Sequence, residues 1–311
     1  NKDLTGTILA FTDLSGANLD GANLLNSDIT NAILSGVDLG NVDLKNAKIK
    51  NIKNIQINVK SPSLSNWPAL EEVQNSNVTR YDLSGNIEYL ITKKGLVYQF
   101  KENASKLILD LNNNIQFPLF VHDGPEFGLL GIASNNEFIY ISYTNKDEDG
   151  ANSLVVVEYS KDFAEVRDIL KIKEFESIHF GGNLLFDSMG RLYLSVGDGA
   201  KDYEAQNLNS LKGKILRLDT SEVIREPEII AFGLRNPWGV SIDSKDRMFI
   251  LQCGEYDSEA VFLLSDLSSD NPYNLGWPDF EGSLPKKTTS LSYDEVLRPI
   301  FEYRNRPGCA T

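Results

Sequence analysis

The chain has 311 residues, with 30 Lys+Arg against 44 Asp+Glu and a formal net charge of −14. A hydrophobic content of 41% with 10% aromatics excludes a disordered tail, and the length is ample for a large core. No apolar run of about 18 residues exists to span a bilayer as a helix, and the acidic balance excludes a sequence-independent nucleic-acid binder, which needs clustered Lys and Arg.

Residues 1–50 follow a period of five: Leu4, Leu9, Leu14, Leu19, Leu24, Ile29, Leu34, Leu39, Leu44 and Ile49. Two residues before each from Leu9 onward stands a mostly small side chain, among them Thr7, Thr12, Ala17, Ala22, Ser27 and Ala32. Five steps of about 100° would scatter these leucines around a helix, and an odd period would throw them onto alternate faces of a strand. One inward apolar and one inward small residue per short repeat fits a solenoid whose coils bury each other. Ala17-Asn18-Leu19-Asp20-Gly21 and Ala22-Asn23-Leu24-Leu25-Asn26 resemble the pentapeptide-repeat family. That resemblance implies a short right-handed, four-sided β-helix, one pentapeptide per side, and says nothing of activity. Acidic solenoids of this kind can mimic duplex DNA, but residues 1–60 hold six acids and six lysines and are neutral. A spacer, cap or docking role fits better.

The chain is therefore divided into a β-helix at 1–57, a linker at 58–70 marked by Pro62, Pro68 and serines, and a second domain at 71–311. In that domain short strands are paired by tight turns. Tyr89–Thr92 and Leu96–Phe100 flank Lys93-Lys94-Gly95; Leu130–Ala133 and Phe138–Tyr143 flank Asn135-Asn136. Leu184–Phe186 and Leu192–Val196 flank one Asp-Ser turn, Val240–Ile242 and Met248–Leu251 another, and the two turns align at a spacing of 56 residues, Asp187 with Asp243 and Arg191 with Arg247. A hairpin recurring at this interval predicts propeller blades. The fold class is thus all-β, a β-helix followed by a β-propeller. The 251 residues after residue 60 allow five blades at most at about 50 each, and a further strand is predicted at Arg298–Tyr303. About four to five blades are expected, with the C-terminal blades of a full ring missing.

Cys253 and Cys309 form either one disulfide or two thiols, and no CxxC or Cys/His cluster suggests zinc. His122 and His179 are the only histidines, and His122 reads as part of a surface loop. The acceptor triplets Asn77-Val78-Thr79 and Asn103-Ala104-Ser105, and a start at Asn1 with no leader, lead to the expectation of a secreted or cell-surface protein whose signal peptide is removed or omitted.

Six collinear strings carry a second resemblance: Glu126-Phe127-Gly128-Leu129-Leu130-Gly131, His179-Phe180-Gly181-Gly182-Asn183-Leu184, Leu192-Tyr193-Leu194-Ser195-Val196-Gly197-Asp198, Gly213-Lys214-Ile215-Leu216-Arg217, Gly233-Leu234-Arg235-Asn236-Pro237-Trp238 and Asn274-Leu275-Gly276-Trp277-Pro278. Over roughly residues 85–311 the chain resembles the soluble quinoprotein sugar dehydrogenases, the glucose/sorbosone dehydrogenase family. The resemblance implies a six-bladed propeller that oxidises an aldose at its anomeric carbon, passing hydride to pyrroloquinoline quinone (PQQ) with calcium as a second cofactor. By position it implies His179 as the base, Glu126, Arg235 and Asn236 at the cofactor, and backbone oxygens of Gly254 and Glu255 around calcium. Gly181-Gly182 would let backbone approach a planar cofactor.

Blander readings stand beside these. His179 is either the base or a blade-top histidine bonded to a neighbouring carbonyl, and Arg235 either binds a cofactor carboxylate or ties blades together. Gly197-Asp198 and Gly276-Trp277-Pro278 read as turn and packing residues. Glu126 stands where the family carries a neutral amide, so its charge would repel cofactor carboxylates. The partners implied are a sugar, an electron acceptor, and a protein docking on the solenoid or on an open propeller edge. The alternative function is a non-catalytic extracellular propeller scaffold.

Overall fold

The computed structural model describes residues 3–10, 12, 14, 17–19, 21–30, 32–34, 37, 42 and 47–48 of the repeat region, and 78–304 apart from 83–87, 102–103, 114–119, 122, 165, 222–225 and 287–290. The predicted linker 58–70, Asn77, Asn103, His122 and Cys309 lie outside the described residues, and with them the question of a Cys253–Cys309 pair. The chain divides into two compact units, Asn1–Asn66 with Pro299–Arg304, and Trp67–Arg298 with Asn305–Thr311.

In the first unit the period of five becomes a coil of four pentapeptides. Parallel bridges pair Asp3 with Asn23, Ile8 with Asp28 and Asp28 with Lys48, each a step of 20 residues. Within each side the small residue donates its N–H three residues back, as Thr7 does to the Leu4 carbonyl at 3.1 Å and Ala22 to that of Leu19 at 2.8 Å, so the backbone turns a corner. Leu24, Ile29, Ala32, Leu34 and Val37 are at most 1% exposed and form the core. The leucines face inward because every corner returns the same position to the axis.

The second unit is a run of antiparallel meanders. The first sheet holds β1 (Val78–Asp82), β2 (Glu88–Thr92), β3 (Leu96–Lys101) and β4 (Ala104–Asp110). The second holds β5 (Leu129–Ser134), β6 (Phe138–Lys146), β7 (Asn152–Ser160) and β8 (Val166–Phe175). The third holds β9 (Gly181–Phe186), β10 (Leu192–Val196), β11 (Lys214–Leu218) and β12 (Glu228–Phe232), and the fourth β13 (Asn236–Ile242), β14 (Met248–Cys253) and β15 (Ser258–Leu264). β16 (Tyr273–Asn274) returns to pair parallel with β12, and β17 (Phe280–Glu281) and β18 (Leu284–Pro285) make a small hairpin. Within Pro299–Arg304, which is grouped with the first unit, β19 (Phe301–Arg304) overlaps the strand predicted at Arg298–Tyr303.

Four such sheets are present among the described residues, and the predicted hairpins fall one to each. The first is offset: Tyr89–Thr92 and Leu96–Phe100 belong to β2 and β3, the second and third strands of their sheet. The strand ahead of them, Val-Thr-Arg-Tyr-Asp, lacks the apolar run that marks a strand in sequence.

Three apolar layers fill the spaces between successive sheets. Tyr89, Ile91 and Val97 pack with Ile139, Ile141 and Val155. Tyr140, Leu154 and Val156 meet Leu192, Leu194 and Leu216. Tyr193 and Ile215 meet Met248, Ile250 and Phe262. Alternate residues of one strand thus serve the two neighbouring layers, the period-two pattern of a sheet covered on both faces. β9 contacts both β5 and β13, so the first strands of successive sheets stand side by side, as in a propeller.

The 56-residue repeat is structural. In the β9–β10 turn Arg191 Nε meets Asp187 Oδ2 at 2.5 Å and its backbone N–H donates to Asp187 Oδ1 at 2.9 Å. In the β13–β14 turn Arg247 meets Asp243 in the same way at 2.7 and 2.9 Å. The Ser188 N–H donates across to Asp246 Oδ1 at 2.8 Å, joining one turn to the next.

Candidate active site

The sheet topology gathers the predicted residues at the end of the strands opposite those turns. His179 precedes β9 and Asp198 follows β10; Arg235 precedes β13, and Gly254 and Glu255 follow β14. Phe180, fully buried, stacks on Phe175 at 4.9 Å and tilts against Phe127 at 5.1 Å. Packing of Phe127 on Phe180 brings their chain neighbours, Glu126 and His179, together.

His179 is 6% exposed and has φ of 62°, a left-handed conformation uncommon outside glycine. The surroundings hold it there at three points. Its N–H donates to Glu126 Oε2 at 2.6 Å, its carbonyl accepts from the Gly199 N–H at 3.2 Å, and its Nδ1 lies 2.7 Å from Asp198 Oδ1. A Cβ on Gly197 would collide with that carbonyl, so only glycine fits beneath it.

A carboxylate beside a neutral imidazole can only accept, so Nδ1 carries the proton and Nε2 keeps its lone pair. Asp198, 2% exposed, also accepts the Trp277 indole N–H on Oδ2 at 2.9 Å and the Ala200 N–H on Oδ1 at 2.8 Å. The turn-and-packing reading of Gly197-Asp198 is thereby corrected: Asp198 orients the histidine. Trp277, 2% exposed, does pack, and it also fixes Asp198.

Asn236 Nδ2 lies 3.3 and 3.2 Å from the two carboxylate oxygens of Glu126, so Glu126, His179 and Asn236 come together. Asn236 Oδ1 is buried without a hydrogen-bond partner. Gly181 and Gly182 have φ of 70° and 93°, and a Cβ on them would meet the Ser195 carbonyl at 2.8 Å and Leu130 at 2.6 Å. Their space is filled by the chain's own strands, so backbone conformation and blade packing require these glycines, in place of the predicted cofactor approach.

Arg235 donates from Nη1 to the Gly254 carbonyl at 2.9 Å and lies 5.6 Å from the Trp277 ring centroid. Lys286 stands 4.0 Å from that centroid and 2.8 Å from Glu255 Oε2. Glu281, 1% exposed, accepts on one oxygen the N–H groups of Glu255, Tyr256, Asp257 and Ser258 at 2.7, 2.8, 2.8 and 3.1 Å. Burial alone would raise its pKa, but those four backbone donors outweigh it and hold the carboxyl below the usual glutamate range. Calcium wants six to eight oxygen ligands. Of the predicted backbone ligands, the Gly254 carbonyl receives the Arg235 guanidinium, and beside the loop Glu281 Oε2 is buried without a hydrogen-bond partner. Among the described residues no cluster of His, Cys, Asp and Glu is arranged to hold a metal.

The loop from Asp198 to Gly213 is fastened from below. Lys214, fully buried, donates from Nζ to the carbonyls of Glu204, Ala205 and Lys212 at 2.9, 2.9 and 2.6 Å. Burial pushes its pKa down to about 8, the charge of Glu204 opposing. Gln206 Nε2 reaches Asn274 Oδ1 at 2.9 Å and the Trp277 carbonyl at 2.8 Å. The sequence reading missed Asp198, Glu281, Lys286 and Lys214 as site-building residues. One signal pointed to Asp198: a Gly-acid pair follows the second strand of two consecutive blades, Gly197-Asp198 and Gly254-Glu255, 57 residues apart.

A pentapeptide coil joined to a propeller with a histidine–aspartate pair at one rim defines the class of protein. The sequence model of the Glucose / Sorbosone dehydrogenase family matches residues 88–305, and that of pentapeptide repeats matches eight copies over 7–46. The chain belongs to the Glucose / Sorbosone dehydrogenase family. It is 27% identical over 211 residues to the aldose sugar dehydrogenase YliI of Escherichia coli, covering 58% of this chain and 56% of that protein. It is 29% identical over 175 residues to human Hedgehog-interacting protein, covering 43% and 25%. The chain thus spans about half the length of the first of these relatives and a quarter of the second. In fold it is similar to the PQQ-bound aldose sugar dehydrogenase of Streptomyces coelicolor, with TM-score 0.57, 20% identity and coverage of 74% and 68%. It is also similar to the apo-form of the soluble aldose sugar dehydrogenase of E. coli, with TM-score 0.58, 20% identity and coverage of 75% and 73%.

Proposed function

We propose that the protein is a PQQ-dependent dehydrogenase that oxidises an aldose at its anomeric carbon. The observation that carries this reading is the buried His179–Asp198 pair, set by Trp277 at the rim of a family propeller. PQQ, when bound, supplies the acceptor for the hydride. Asn236, whose buried Oδ1 lacks a donor, and the cations Arg235 and Lys286 are the residues that suit a polar, carboxylate-bearing quinone. His179 takes the anomeric hydroxyl proton on Nε2. Asp198 keeps Nε2 as the basic nitrogen and stabilises the imidazolium that forms, while the left-handed backbone of His179, tied by Glu126 and Gly199, fixes where the ring sits.

The test is full-length protein reconstituted with PQQ and assayed with aldoses and an artificial electron acceptor. Turnover that falls by about 10²–10⁴ in His179→Ala is the expected result. No turnover in the parent, or unchanged turnover in the variant, ends this reading. The reading carries with it a secreted or cell-surface location, favoured by the acceptor triplets at Asn77 and Asn103, and a docking or spacer role for the solenoid.

A second reading, a propeller that binds a partner without chemistry, is favoured by one feature, the Glu126 carboxylate beside His179. Its kinship with Hedgehog-interacting protein points the same way. Stoichiometric PQQ retained by the protein counts against it.

A further inference from the structure

We propose that Gln206 is a positioning residue for the His179–Asp198 pair, acting through Trp277. The contacts form a closed circuit. Asp198 opens the loop that runs to Gly213, and Gln206 stands further along the same loop. Both reach one residue of another segment: Asp198 Oδ2 accepts the Trp277 indole N–H at 2.9 Å, and Gln206 Nε2 donates to the Trp277 carbonyl at 2.8 Å. A single loop therefore grips Trp277 by its ring and by its backbone.

The Gln206 amide is committed to that segment. Its Nε2 also donates to Asn274 Oδ1 at 2.9 Å, and its Oε1 accepts from Asn274 Nδ2 at 3.2 Å, a reciprocal pair of amides. Their orientations are forced, because Asn274 Oδ1 also accepts the Gly276 N–H at 2.9 Å and the Trp277 carbonyl needs a donor. Asparagine at this position would be a methylene short, and an ionised glutamate has no N–H to give. Gly233 makes room for the pair: its φ is 74°, and a Cβ there would lie 2.7 Å from Gln206 Nε2, from Asn274 Oδ1 and from the Gly276 nitrogen.

The foot of Gln206 is itself fixed. The carbonyl of Ala205, the residue before it, accepts both Lys214 Nζ and the Gly233 N–H at 2.9 Å. The Trp277 segment has backbone bonds of its own, from the Leu275 N–H to the Phe232 carbonyl at 2.8 Å and from the Trp277 N–H to that of Gly233 at 3.0 Å. These run to the end of β12 and set the segment's distance from the third sheet. The Gln206 amide sets it against the loop that carries Asp198. A shift of the indole along that loop would turn Asp198 Oδ2, and with it the Oδ1 that holds His179 Nδ1 at 2.7 Å. The effect on turnover rests on the reading of His179 as the base; the setting of Trp277 does not.

The first arm of the test needs no cofactor. The full chain has three tryptophans and two histidines, so nitrogen-15 NMR resolves the Trp277 indole and the His179 ring, assigned with Trp277→Phe and His179→Gln. Gln206→Met keeps the length of the side chain without its donors. In it the Trp277 indole N–H is expected to exchange with solvent about tenfold faster or more, while the amides of β10 and β11 keep their rates. The His179 ring is expected to leave the single Nδ1–H tautomer. Asn274→Ala should act alike from the other side, and the double variant should add little to the worse of the two, since the amides work as a unit. An indole and a tautomer that match the parent in both single variants overturn the proposal. So does faster exchange spread evenly over the propeller, the mark of lost global stability alone.

In the second arm the PQQ-reconstituted protein is assayed with an aldose and an artificial acceptor. In Gln206→Met kcat is expected to fall about 10- to 100-fold with KM little changed, and to fall no further when the substitution is added to Asp198→Asn. An unchanged kcat in a variant whose indole has moved overturns the proposal. A parent without turnover removes the quinone reading, and the NMR arm then decides for Gln206 by itself.

Discussion

Asp198 accepts the indole N–H of Trp277 at 2.9 Å across 79 residues of sequence, and with its other oxygen it holds His179 at 2.7 Å. One buried carboxylate thus sets the imidazole and is itself set by a ring that carries two cations. The geometry makes Asp198 a positioning residue and gives a direct prediction. In Asp198→Asn the amide fills the same space but can offer N–H to Nδ1, which favours the wrong tautomer. In the reconstituted dehydrogenase kcat is expected to fall by about 10²–10⁴ with KM little changed. A large rise in KM with kcat unchanged would speak against the orienting role.

Gly197 lies directly under the His179 carbonyl. Gly197→Ala is expected to push that carbonyl and its ring away from Asp198, costing about 1–3 kcal/mol of stability from overpacking. Denaturant unfolding measures the loss. Gly239→Ala is a useful control, because Gly239 likewise lies outside the left-handed region and a Cβ there comes no nearer than 3.3 Å to its neighbour, the Leu251 side chain. A Gly197 variant no worse than this control would show that space under the histidine is not limiting.

Glu281 predicts a pH-dependent contribution. Its folded-state pKa lies below the ordinary 4.5, so its stabilisation is complete above that value and is lost as pH falls through the folded pKa. Glu281→Gln, which replaces charge-assisted bonds and buries an amide, is expected to cost roughly 2 kcal/mol or more at pH 7. The gap between parent and variant should close progressively below about pH 4.5. Urea unfolding of both at a series of pH values follows it; a gap independent of pH contradicts the assignment.

Lys214 has the opposite chemistry. Its pKa falls from an ordinary 10.5 to about 8, so between those values the unfolded chain holds a proton that the folded chain releases. Stability should therefore rise with pH from about 8, by at most about 1.4 kcal/mol per pH unit. Above about pH 10 the trend reverses, since burial raises the phenols of Tyr140, Tyr143 and Tyr159 and only the unfolded chain ionises them. Lys214→Met should abolish the rise while lowering stability at neutral pH, because three carbonyls lose their donor. Chemical denaturation between pH 7 and 9.5 reads the slope.

Most of the fold was legible because its signals are local. The period of five returned as a 20-residue coil, and each apolar strand–turn–strand run returned inside its own sheet. β1 was not legible, since its polar sequence carries no pattern of its own and is a strand because β2 lies beside it. The site divides along the same line. His179, Glu126 and Asn236 were found through motif strings and do meet. Glu281 and Lys286 were passed over because their hydrogen-bond partners lie 23 to 31 residues away, and nothing in Gly-Trp-Pro-Asp-Phe-Glu-Gly marks a glutamate as the acceptor for the loop after β14. Arg235 was singled out from its motif, but that its guanidinium donates to the Gly254 carbonyl, one of the two backbone oxygens expected around calcium, could not be read from the sequence.

The paired turns Asp187–Arg191 and Asp243–Arg247, with Ser188 reaching across to Asp246, lie at the opposite strand ends from His179 and Asp198. In the third and fourth sheets this end therefore works as a repeated plate, cut to a common pattern and bolted to its neighbour. The other end is left to vary. A lineage can rewrite the histidine rim, changing substrate or discarding chemistry altogether, while the stamped end keeps the blades at their spacing.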